Sequence, residues 1–448
     1  MKIHLIAIGG SAMHNLALAL HEQGHDVSGS DDEVFEPSRS RLAKKGLLPD
    51  TIGWDANRIH SDLDVIVLGM HARKENPELQ KALELELPVY SYPEYLYESS
   101  KNKTRVVITG SHGKTTITSM ILHVLNFHDR DCDYMVGAQL EGFDTMVRLT
   151  DHNEFMVIEG DEYLSSPLDP RPKFVHYRPN IALLSGIAWD HYNVFPAFEQ
   201  YRHQFELLME YIEAGGQIIY NTDDPEVKDL VESSKQEVKK FPYQTPSYHV
   251  ANQSFVLETI EGDLELNIFG AHNMNNLEGA RWVCSQMGIT DEEFYEAIVE
   301  FQGASKRMEP LLESANFKVY RDYAHAPSKV RASMQACRET FAEQKIMAVL
   351  ELHTFSSLNI DFIKQYAGTM DAADTAVVYF NPEVVKHKKL PELDTLSVQE
   401  AFGNDRILVV QDSSELQRLV QNERSSHDIL VLMSSGNFDG IDWNESLD

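Results

Sequence analysis

The chain has 448 residues, which is too long for one hydrophobic core and predicts two to three domains. Its hydrophobic content of 42% and charged content of 24% are typical of a soluble globular protein. The formal net charge of −31 argues against a general affinity for nucleic acid or for anionic membranes.

Cysteine usage and the absence of long apolar runs indicate the compartment. Cys132, Cys284 and Cys337 are scattered and odd in number, which fits neither a disulfide framework nor a zinc site and indicates reduced thiols. The apolar start reaches Gly9 too soon for a signal-peptide core, and no stretch of about 18 apolar residues follows. We therefore expect a cytoplasmic protein that does not insert into membranes.

The first hundred residues alternate strands and helices in a Rossmann-like pattern. A glycine turn at residues 9–11 precedes a helix over 13–23, and the predicted strands are 3–8, 26–30, 65–68 and 89–91. The polar run at 98–103 predicts a linker, after which a second module begins.

A phosphate-binding loop opens this second module. The β-branched run 106–109 leads into Gly110-Ser111-His112-Gly113-Lys114-Thr115-Thr116, and residues 117–125 form a predicted helix. Backbone N–H groups of such a turn and the helix dipole point at one anion, Lys114 adds a cation, and the Thr115 hydroxyl suits Mg²⁺. The loop is shorter than the common form of this motif, but its flanking strand and helix disfavour a chance Gly-Lys-Thr on a surface loop. The motif predicts binding of ATP or GTP.

The remaining elements predict three α/β modules, at residues 1–101, 102–304 and 305–448. The second module has predicted strands at 105–109, 155–159, 181–185 and 217–220, a hairpin region at 245–266 that turns at 261–263, helices at 273–287 and 291–301, and a second linker at 302–305. The third has strands at 317–320, 346–350, 376–379, 406–410 and 429–433, with a helix that starts at Pro327.

Two polar residues follow predicted strands of the second module, where open α/β sheets place ligands. Glu159 begins a Glu-Gly-Asp-Glu run, and His191 follows Asp190. A hard cation prefers carboxylate and hydroxyl oxygen, so Glu159 and Thr115 are the more natural Mg²⁺ ligands. A helix cap beside a satisfied histidine is the alternative for Asp190-His191.

Further candidates lie near the second linker. Asn273 and Asn276 open a predicted helix and are either capping residues or amides for the adenine edge. Arg307 is either an ordinary surface charge or an arginine that reaches a γ-phosphate as domains close. Asp322 ends a predicted strand, ahead of the helix that starts at Pro327.

The motifs from the phosphate loop through His-Asn-x-x-Asn, Arg-Met-Glu and Asp-Tyr-Ala-His-x-Pro, in this order, resemble the Mur ligases. These are ATP-dependent, amide-forming enzymes of peptidoglycan assembly. The resemblance spans essentially the whole chain and implies an α/β fold of three domains: a UDP-sugar-binding Rossmann-like domain, a P-loop ATPase with a mixed sheet, and a Rossmann-like domain for the acceptor.

The resemblance also implies roles for individual residues. Catalysis involves Lys114, His191 and Arg307, and Mg²⁺ is held by Thr115, Glu159 and His191. ATP is bound by Gly110, His112, Gly113, Lys114, Thr115, Thr116, Asn273, Asn276, Arg307 and Asp322. UDP-N-acetylmuramate is bound by Gly9, Gly10, Ser11, Ala12, Met13, Asp31 and His71, and for His71 ordinary packing at the surface or in the core is the alternative. The acceptor is bound by His353, Ser356 and Asn437.

The chain has features of two subgroups of the family. Segments 29–37, 173–177, 190–195 and 434–441 resemble enzymes that attach the murein tripeptide L-alanyl-γ-D-glutamyl-meso-diaminopimelate to UDP-N-acetylmuramate. Segment 351–356 looks more like the subgroup that attaches L-alanine. We expect the tripeptide, with L-alanine as the alternative.

Departures from the family pattern concern two places. Ala7 and Ala12 replace glycines of the N-terminal turn, and Phe205 stands where many relatives carry a carbamylated lysine that holds a second Mg²⁺. We therefore expect no carbamylated lysine.

Two other function classes fit the sequence less well. An NAD-dependent oxidoreductase leaves the phosphate loop unexplained. A catalytically inactive nucleotide-gated binding protein leaves the joint presence of Lys114, Glu159 and His191 unexplained.

Overall fold

A computed structural model describes residues 1–70, 72–139, 142–190, 192, 194–303, 308–314 and 317–447. The chain divides into two compact units. The first comprises Met1–Ile187, Glu199–Gln244 and Gly279–Ala297, and the second comprises Ala188–Phe198, Thr245–Glu278 and Ile298–Asp448. Among the described residues, no helix combines the length and the apolar character that crossing a bilayer requires.

The N-terminal part of the first unit is a four-stranded parallel sheet in the order β2-β1-β3-β4. The register pairs Ile3 with both Val27 and Val65, so β1 lies in the middle, and its residues 3–6 are buried. The elements are β1 (Lys2–Ile6), α1 (Ser11–Glu22), β2 (Asp26–Ser30), α2 (Ser38–Lys44), β3 (Val65–Leu68), α3 (Pro77–Glu84), β4 (Val89–Ser91) and α4 (Tyr92–Ser100).

The middle part is a seven-stranded mixed sheet in the order β11-β10-β9-β5-β8-β6-β7, in which only the β6–β7 pairing is antiparallel. Residues 106–108 of its central strand β5 are apolar and fully buried, as expected for a strand covered by helices on each side. The elements are β5 (Thr104–Thr109), α5 (Lys114–Phe127), β6 (Asp133–Met135), β7 (Val147–Arg148), β8 (Phe155–Gly160), α6 (Lys173–Tyr177), β9 (Ile181–Leu184), α7 (Phe198–Tyr211), β10 (Gln217–Asn221), α8 (Pro225–Ser233) and β11 (Lys239–Tyr243).

A buried arginine joins these two parts of the first unit. Arg105, in β5, is 3% exposed. Its guanidinium donates hydrogen bonds to the carbonyls of Ser100 and Lys101 at the end of α4, at 3.1 Å each, and to the carbonyl of Tyr177 at 2.8 Å. Because each of these carbonyls lacks a helical partner at its helix end, Arg105 satisfies several orphan acceptors at once. The α4–β5 junction is therefore an ordered, internally bonded turn.

The second unit contains a three-stranded antiparallel sheet (β12-β13-β14) and a six-stranded sheet in the order β15-β16-β20-β17-β18-β19, parallel except at β15. The elements from residue 248 onward are β12 (Tyr248–Ala251), β13 (Ser254–Thr259), β14 (Gly262–Leu266), α9 (Ala271–Gln286), α10 (Asp291–Ile298), β15 (Glu309–Glu313), β16 (Lys318–Asp322), α11 (Pro327–Thr340), β17 (Ile346–Glu351), β18 (Thr375–Tyr379), α12 (Pro382–His387), α13 (Thr395–Phe402), β19 (Leu408–Val410), α14 (Ser413–Glu423), β20 (Ile429–Met433) and α15 (Trp443–Leu447).

Side chains alternate across this six-stranded sheet and form one core on each face. Ala348 and Leu350 of β17 belong to one cluster, whereas Met347 and Val349 belong to the other. The period of two in a strand explains the division, since successive Cβ atoms point to opposite faces. Both cores are closed by helices, and the loops at the carboxyl ends of the strands are left to form a site.

Most predicted strands are confirmed to within two residues, and four local expectations need correction. The run 98–103 is not an extended linker, because α4 continues to Ser100 from a capping box of Ser91 and Glu94. Region 245–266 holds three strands, not one hairpin. Helix α9 begins at Ala271, so Asn273 and Asn276 lie in its first turns and do not cap it. Helix α10 ends at Ile298, and β6, β7, β11 and β15 had no predicted counterpart.

Candidate functional site

The phosphate loop joins β5, the central strand of the middle sheet, to α5. Gly110 has φ of +126° and Gly113, the N-cap of α5, has φ of +79°, both in the region that glycine adopts freely. A Cβ on Gly110 would lie 2.2 Å from Ser185 Oγ. His112 lies within this loop, and Lys114, Thr115 and Thr116 form the first turn of α5, whose free N–H groups make an anion site.

Lys114 is held by a buried carboxylate. Its Nζ donates to the carbonyl of Gly110 at 2.8 Å and to Glu162 Oε2 at 3.1 Å. Glu162 is 1% exposed, and its Oε1 accepts from the Tyr201 hydroxyl at 3.0 Å. Burial alone would lower the pKa of Lys114, but the carboxylates of Glu162, Asp161 and Glu159 outweigh burial and raise that pKa. The lysine therefore stays charged and aimed at the loop.

Sequence reasoning gave no role to Glu162 or to Tyr201, although Glu162 lies in the Glu-Gly-Asp-Glu run. Tyr201 also exchanges a 2.7 Å hydrogen bond with the Ser111 hydroxyl of the loop. Glu162 lies within the acidic run that begins at Glu159, and an acidic residue at the end of a predicted strand could have indicated its role. Tyr201 is 90 positions from Ser111, a separation at which local patterns carry no information.

Thr115 and Glu159 form an oxygen-rich pair next to Lys114. The Thr115 hydroxyl donates to Glu159 Oε2 at 3.0 Å. Glu159 is 4% exposed, and its Oε1 is buried without a hydrogen-bond partner in the described part of the chain. Burial raises the pKa of Glu159 to about 7, although an N–H bond from Gly137 opposes the shift. A buried carboxylate oxygen without a partner, beside a hydroxyl, fits a hard cation such as Mg²⁺.

Phe205, at the position where the resemblance led us to expect no carbamylated lysine, packs in an aromatic cluster. Its ring is fully buried, and its centroid lies 5.4 Å from that of Tyr201 and 5.8 Å from that of Phe174. Side chains of this kind offer packing and no amine. The aromatic cluster instead supports the Tyr201 ring whose hydroxyl holds Glu162.

The N-terminal glycine turn forms a second anion-type cradle. Helix α1 begins at Ser11, two residues earlier than predicted, so Ser11, Ala12 and Met13 form its first turn, with Gly10 as N-cap. The Gly9 N–H donates to Asp31 Oδ2 at 2.7 Å. A Cβ on Gly9 would lie 2.9 Å from that oxygen. Burial raises the pKa of Asp31 to about 6, in spite of the Gly9 N–H.

Ala7, which replaces a family glycine, adopts φ of +70°. An L-residue in this region is strained by about 1 kcal/mol relative to glycine. The turn therefore keeps the glycine-type backbone although one glycine is gone. Ala12, the second replacement, lies inside α1, where alanine is a better helix former than glycine.

In the second unit, Asn273 and Asn276 bond to each other and to the backbone. Asn273 Nδ2 donates to the Phe269 carbonyl at 2.8 Å, and Asn276 Nδ2 donates to Asn273 Oδ1 at 3.0 Å. Asp322 is 3% exposed, accepts from the Ser333 hydroxyl, and accepts from the Ala324 N–H at 3.2 Å. All three are thus ordered polar groups at element ends.

A cavity of about 320 Å³ lies in the second unit at the carboxyl end of β17. Its volume is at the lower end of the range for small-molecule pockets, roughly 300–1,000 Å³. Two of the predicted acceptor residues line it, whereas Asn437 lies exposed in the segment after β20. The polar and charged lining includes Asp190, His325, His353, Thr354, Ser356 and Lys388.

Asp190 lines this cavity and forms an ion pair with Lys329 at 3.6 Å. It lies in a loop, so the helix-cap alternative for this residue is wrong. His191, His71 and Arg307 lie outside the described residues. Their expected roles therefore stay predictions.

Comparison with known proteins covers nearly the whole chain. Residues 2–104 match the family model "Mur ligase family, catalytic domain", residues 108–284 match "Mur ligase middle domain", and residues 306–436 match "Mur ligase, glutamate ligase domain".

Similar proteins come from both subgroups. UDP-N-acetylmuramate–L-alanine ligase of Caldicellulosiruptor bescii is 30% identical over 84% of this chain and 83% of its own length. UDP-N-acetylmuramate–L-alanyl-γ-D-glutamyl-meso-2,6-diaminoheptandioate ligase of Escherichia coli is 27% identical over 98% of this chain and 96% of its own. The crystal structure of UDP-N-acetylmuramate–alanine ligase from Thermotoga maritima has a TM-score of 0.70 at 22% identity, covering 98% and 96% of the two chains, and shows the same fold.

These matches agree with the phosphate loop, the buried lysine and the three α/β parts of the chain. The expected three-domain α/β architecture is confirmed, while the exact domain boundaries stay a prediction. The chain belongs to the Mur ligase family of ATP-dependent, ADP-forming ligases.

Proposed function

We propose that the chain joins the lactyl carboxylate of UDP-N-acetylmuramate to the amine of the murein tripeptide L-alanyl-γ-D-glutamyl-meso-diaminopimelate, in the cytoplasm. The observation that carries this proposal is the cavity of the second unit, which presents an acidic group, Asp190, and a cationic group, Lys388, within one space. An acceptor with an amine at one end and several carboxylates matches such a lining.

A carboxylate must be activated before it can form an amide, because oxide is a poor leaving group. A carboxylate oxygen attacks the γ-phosphorus of ATP, so that the bond to the β,γ-bridging oxygen breaks, and ADP and an acyl phosphate form. The acceptor amine then attacks the acyl carbon, phosphate leaves, and the amine gives up a proton. Positioning and charge neutralisation carry most of the catalysis of such transfers.

The residues of the first unit divide this work. Lys114 neutralises the β- and γ-phosphates, and the loop from Gly110 to Gly113 with the first turn of α5 offers N–H donors. Thr115 and Glu159 would hold Mg²⁺, which supplies charge stabilisation at the phosphates when bound. The turn from Gly9 to Met13 would face the diphosphate of the sugar nucleotide, with Asp31 beside it. From sequence alone, His191, Arg307 and His71 complete the set.

Attachment of L-alanine is the second candidate function. The relative from Caldicellulosiruptor bescii carries that activity in its name, and segment 351–356 resembles that subgroup. The two candidates share every step up to the acyl phosphate, so only the acceptor separates them.

Steady-state phosphate release decides between the candidates. ATP, Mg²⁺ and UDP-N-acetylmuramate are supplied in every reaction, and either the tripeptide or L-alanine is added. We expect release only when sugar nucleotide and acceptor are both present, and a kcat/KM for the tripeptide that exceeds that for L-alanine by more than about a hundredfold. A preference for L-alanine would move the chain to the second candidate. Phosphate release in reactions from which both acceptors are omitted would contradict both candidates.

A further inference from the structure

Lys388 is one of the cations that line the cavity. It follows α12 and is half-buried, and its backbone N–H donates to the Val384 carbonyl at 3.0 Å, which fixes the position of its stem. Its neighbour Lys386 forms an ion pair with Glu383 at 2.6 Å. In the described part of the chain, Lys388 makes no such pair.

An aromatic ring holds the Lys388 ammonium at the cavity. Nζ lies 4.5 Å from the centroid of the Phe355 ring, within the range of a cation–π contact. Phe355 is 46% exposed, which is unusual for a phenylalanine, and both residues line the cavity. The ring contacts one side of the ammonium and carries no negative charge that could neutralise it. The N–H groups of Nζ that face away from the ring can therefore bind an anion.

The charge of the whole chain makes such a group significant. With a net charge of −31, the protein repels anions over most of its surface, and an anionic ligand needs a local cation at its binding site. Asp190, which also lines the cavity, is compensated by Lys329. Among the residues that the structure describes, the cavity thus combines the compensated carboxylate of Asp190 with the ammonium of Lys388, which has no ion-pair partner there.

We propose that Lys388, positioned on Phe355, binds a carboxylate that the tripeptide has and free L-alanine lacks, and thereby selects a peptide acceptor. This inference rests on the proposed function. L-Alanine has one carboxylate, which lies next to its reacting amine. The tripeptide places carboxylates further from the amine, on its second and third residues, so a cation at the rim discriminates between the two acceptors.

The test compares Lys388→Gln with Lys389→Gln in the full-length chain. Glutamine keeps most of the side-chain length and removes the charge, and Lys389 is an exposed neighbour that does not line the cavity. Phosphate release is measured with the tripeptide, with the same tripeptide amidated at its carboxylates, and with L-alanine. For Lys388→Gln we expect the KM for the tripeptide to rise about 10- to 100-fold, with kcat changed less than about threefold.

The acceptor series separates binding of a carboxylate from a general defect. Lys388→Gln should leave the KM for the amidated tripeptide and for L-alanine unchanged, and Lys389→Gln should behave as wild type throughout. An equal loss with all acceptors, or no loss with the tripeptide, would overturn the role of Lys388. Failure of the proposed function appears separately, as a wild-type enzyme that prefers L-alanine before any variant is made.

Discussion

The ion pair between Lys114 and Glu162 gives the sharpest quantitative prediction. The two groups lie 3.1 Å apart, and their side chains are 15% and 1% exposed. At an effective dielectric constant of about 20 this separation corresponds to about 5 kcal/mol of attraction. Removing one partner of a buried pair typically costs about 3–5 kcal/mol. Because Asp161 and Glu159 also compensate Lys114, we expect Glu162→Gln to lower the free energy of unfolding by about 3 kcal/mol.

A double-mutant cycle in urea isolates the pairwise contribution. It uses Glu162→Gln, Lys114→Met and the double variant, because glutamine and methionine keep the volumes of the residues that they replace. We expect a coupling free energy of about 2–3 kcal/mol, since the double variant removes both charges of the pair at once. Glu206→Gln serves as the control, because its pair with Arg202 is partly exposed and should cost less than about 1 kcal/mol.

Two results would contradict this reasoning. A coupling below about 0.5 kcal/mol would mean that Glu162 does not hold Lys114, whatever the single variants cost. A loss in Glu162→Gln that ATP does not reduce would also count against it. Phosphates supply the negative charge that the variant lacks, so nucleotide binding should restore part of the lost stability.

Three further predictions concern the phosphate loop, the metal pair and the sugar-nucleotide turn. Gly110→Ala should abolish nucleotide binding in calorimetry, because its Cβ would overlap Ser185 Oγ, whereas Gly215→Ala, which has a similarly positive φ and open space, should cost about 1 kcal/mol of stability and leave binding intact. Glu159→Gln should raise the Mg²⁺ concentration for half-maximal phosphate release at least about tenfold, since an amide is a weaker ligand for a hard cation, and an unchanged titration would exclude Glu159 as a ligand. Asp31→Asn should stabilise the chain by about 1–3 kcal/mol at pH 8, because burial raises the pKa of Asp31 to about 6 and its ionisation there costs folding free energy. This gain in the free energy of unfolding should shrink as the pH falls from 6 towards 4. Urea unfolding at several pH values measures it, and a gain that is constant with pH would contradict the role given to the ionisation of Asp31.

Local chemistry explains which parts of the fold were predictable. Strand β20 is entirely apolar, and β5 and β8 each contain an apolar, buried run, at 106–108 and 156–158, so burial on both faces makes all three visible in sequence. The loop from Gly110 to Thr115 was equally easy to predict, because glycines, a lysine and the start of a helix must coincide in such a motif. Short edge strands such as β7, with two residues, carry no comparable pattern.

The partners of the site residues were beyond the reach of local patterns. Glu162 meets Lys114 across 48 positions, and Tyr201 meets Ser111 across 90. Such contacts depend on sheet order, which alternation of apolar residues does not encode. The cavity beside Lys388 has the same origin, because Phe355 and Lys388 come from loops after different strands. The start of α4 is a different case: the Ser91–Glu94 capping box was present in the sequence and marks the N-terminus of a helix that continues to Ser100.

The bonding of Arg105 has a consequence for how the chain can be divided. An ordinary interdomain tether can be cut or lengthened at little cost, but here the junction supplies acceptors to a guanidinium that belongs to the central strand of the neighbouring sheet. A fragment that begins near residue 103 would leave Arg105 with unsatisfied donors, and an insertion there would pull those acceptors away.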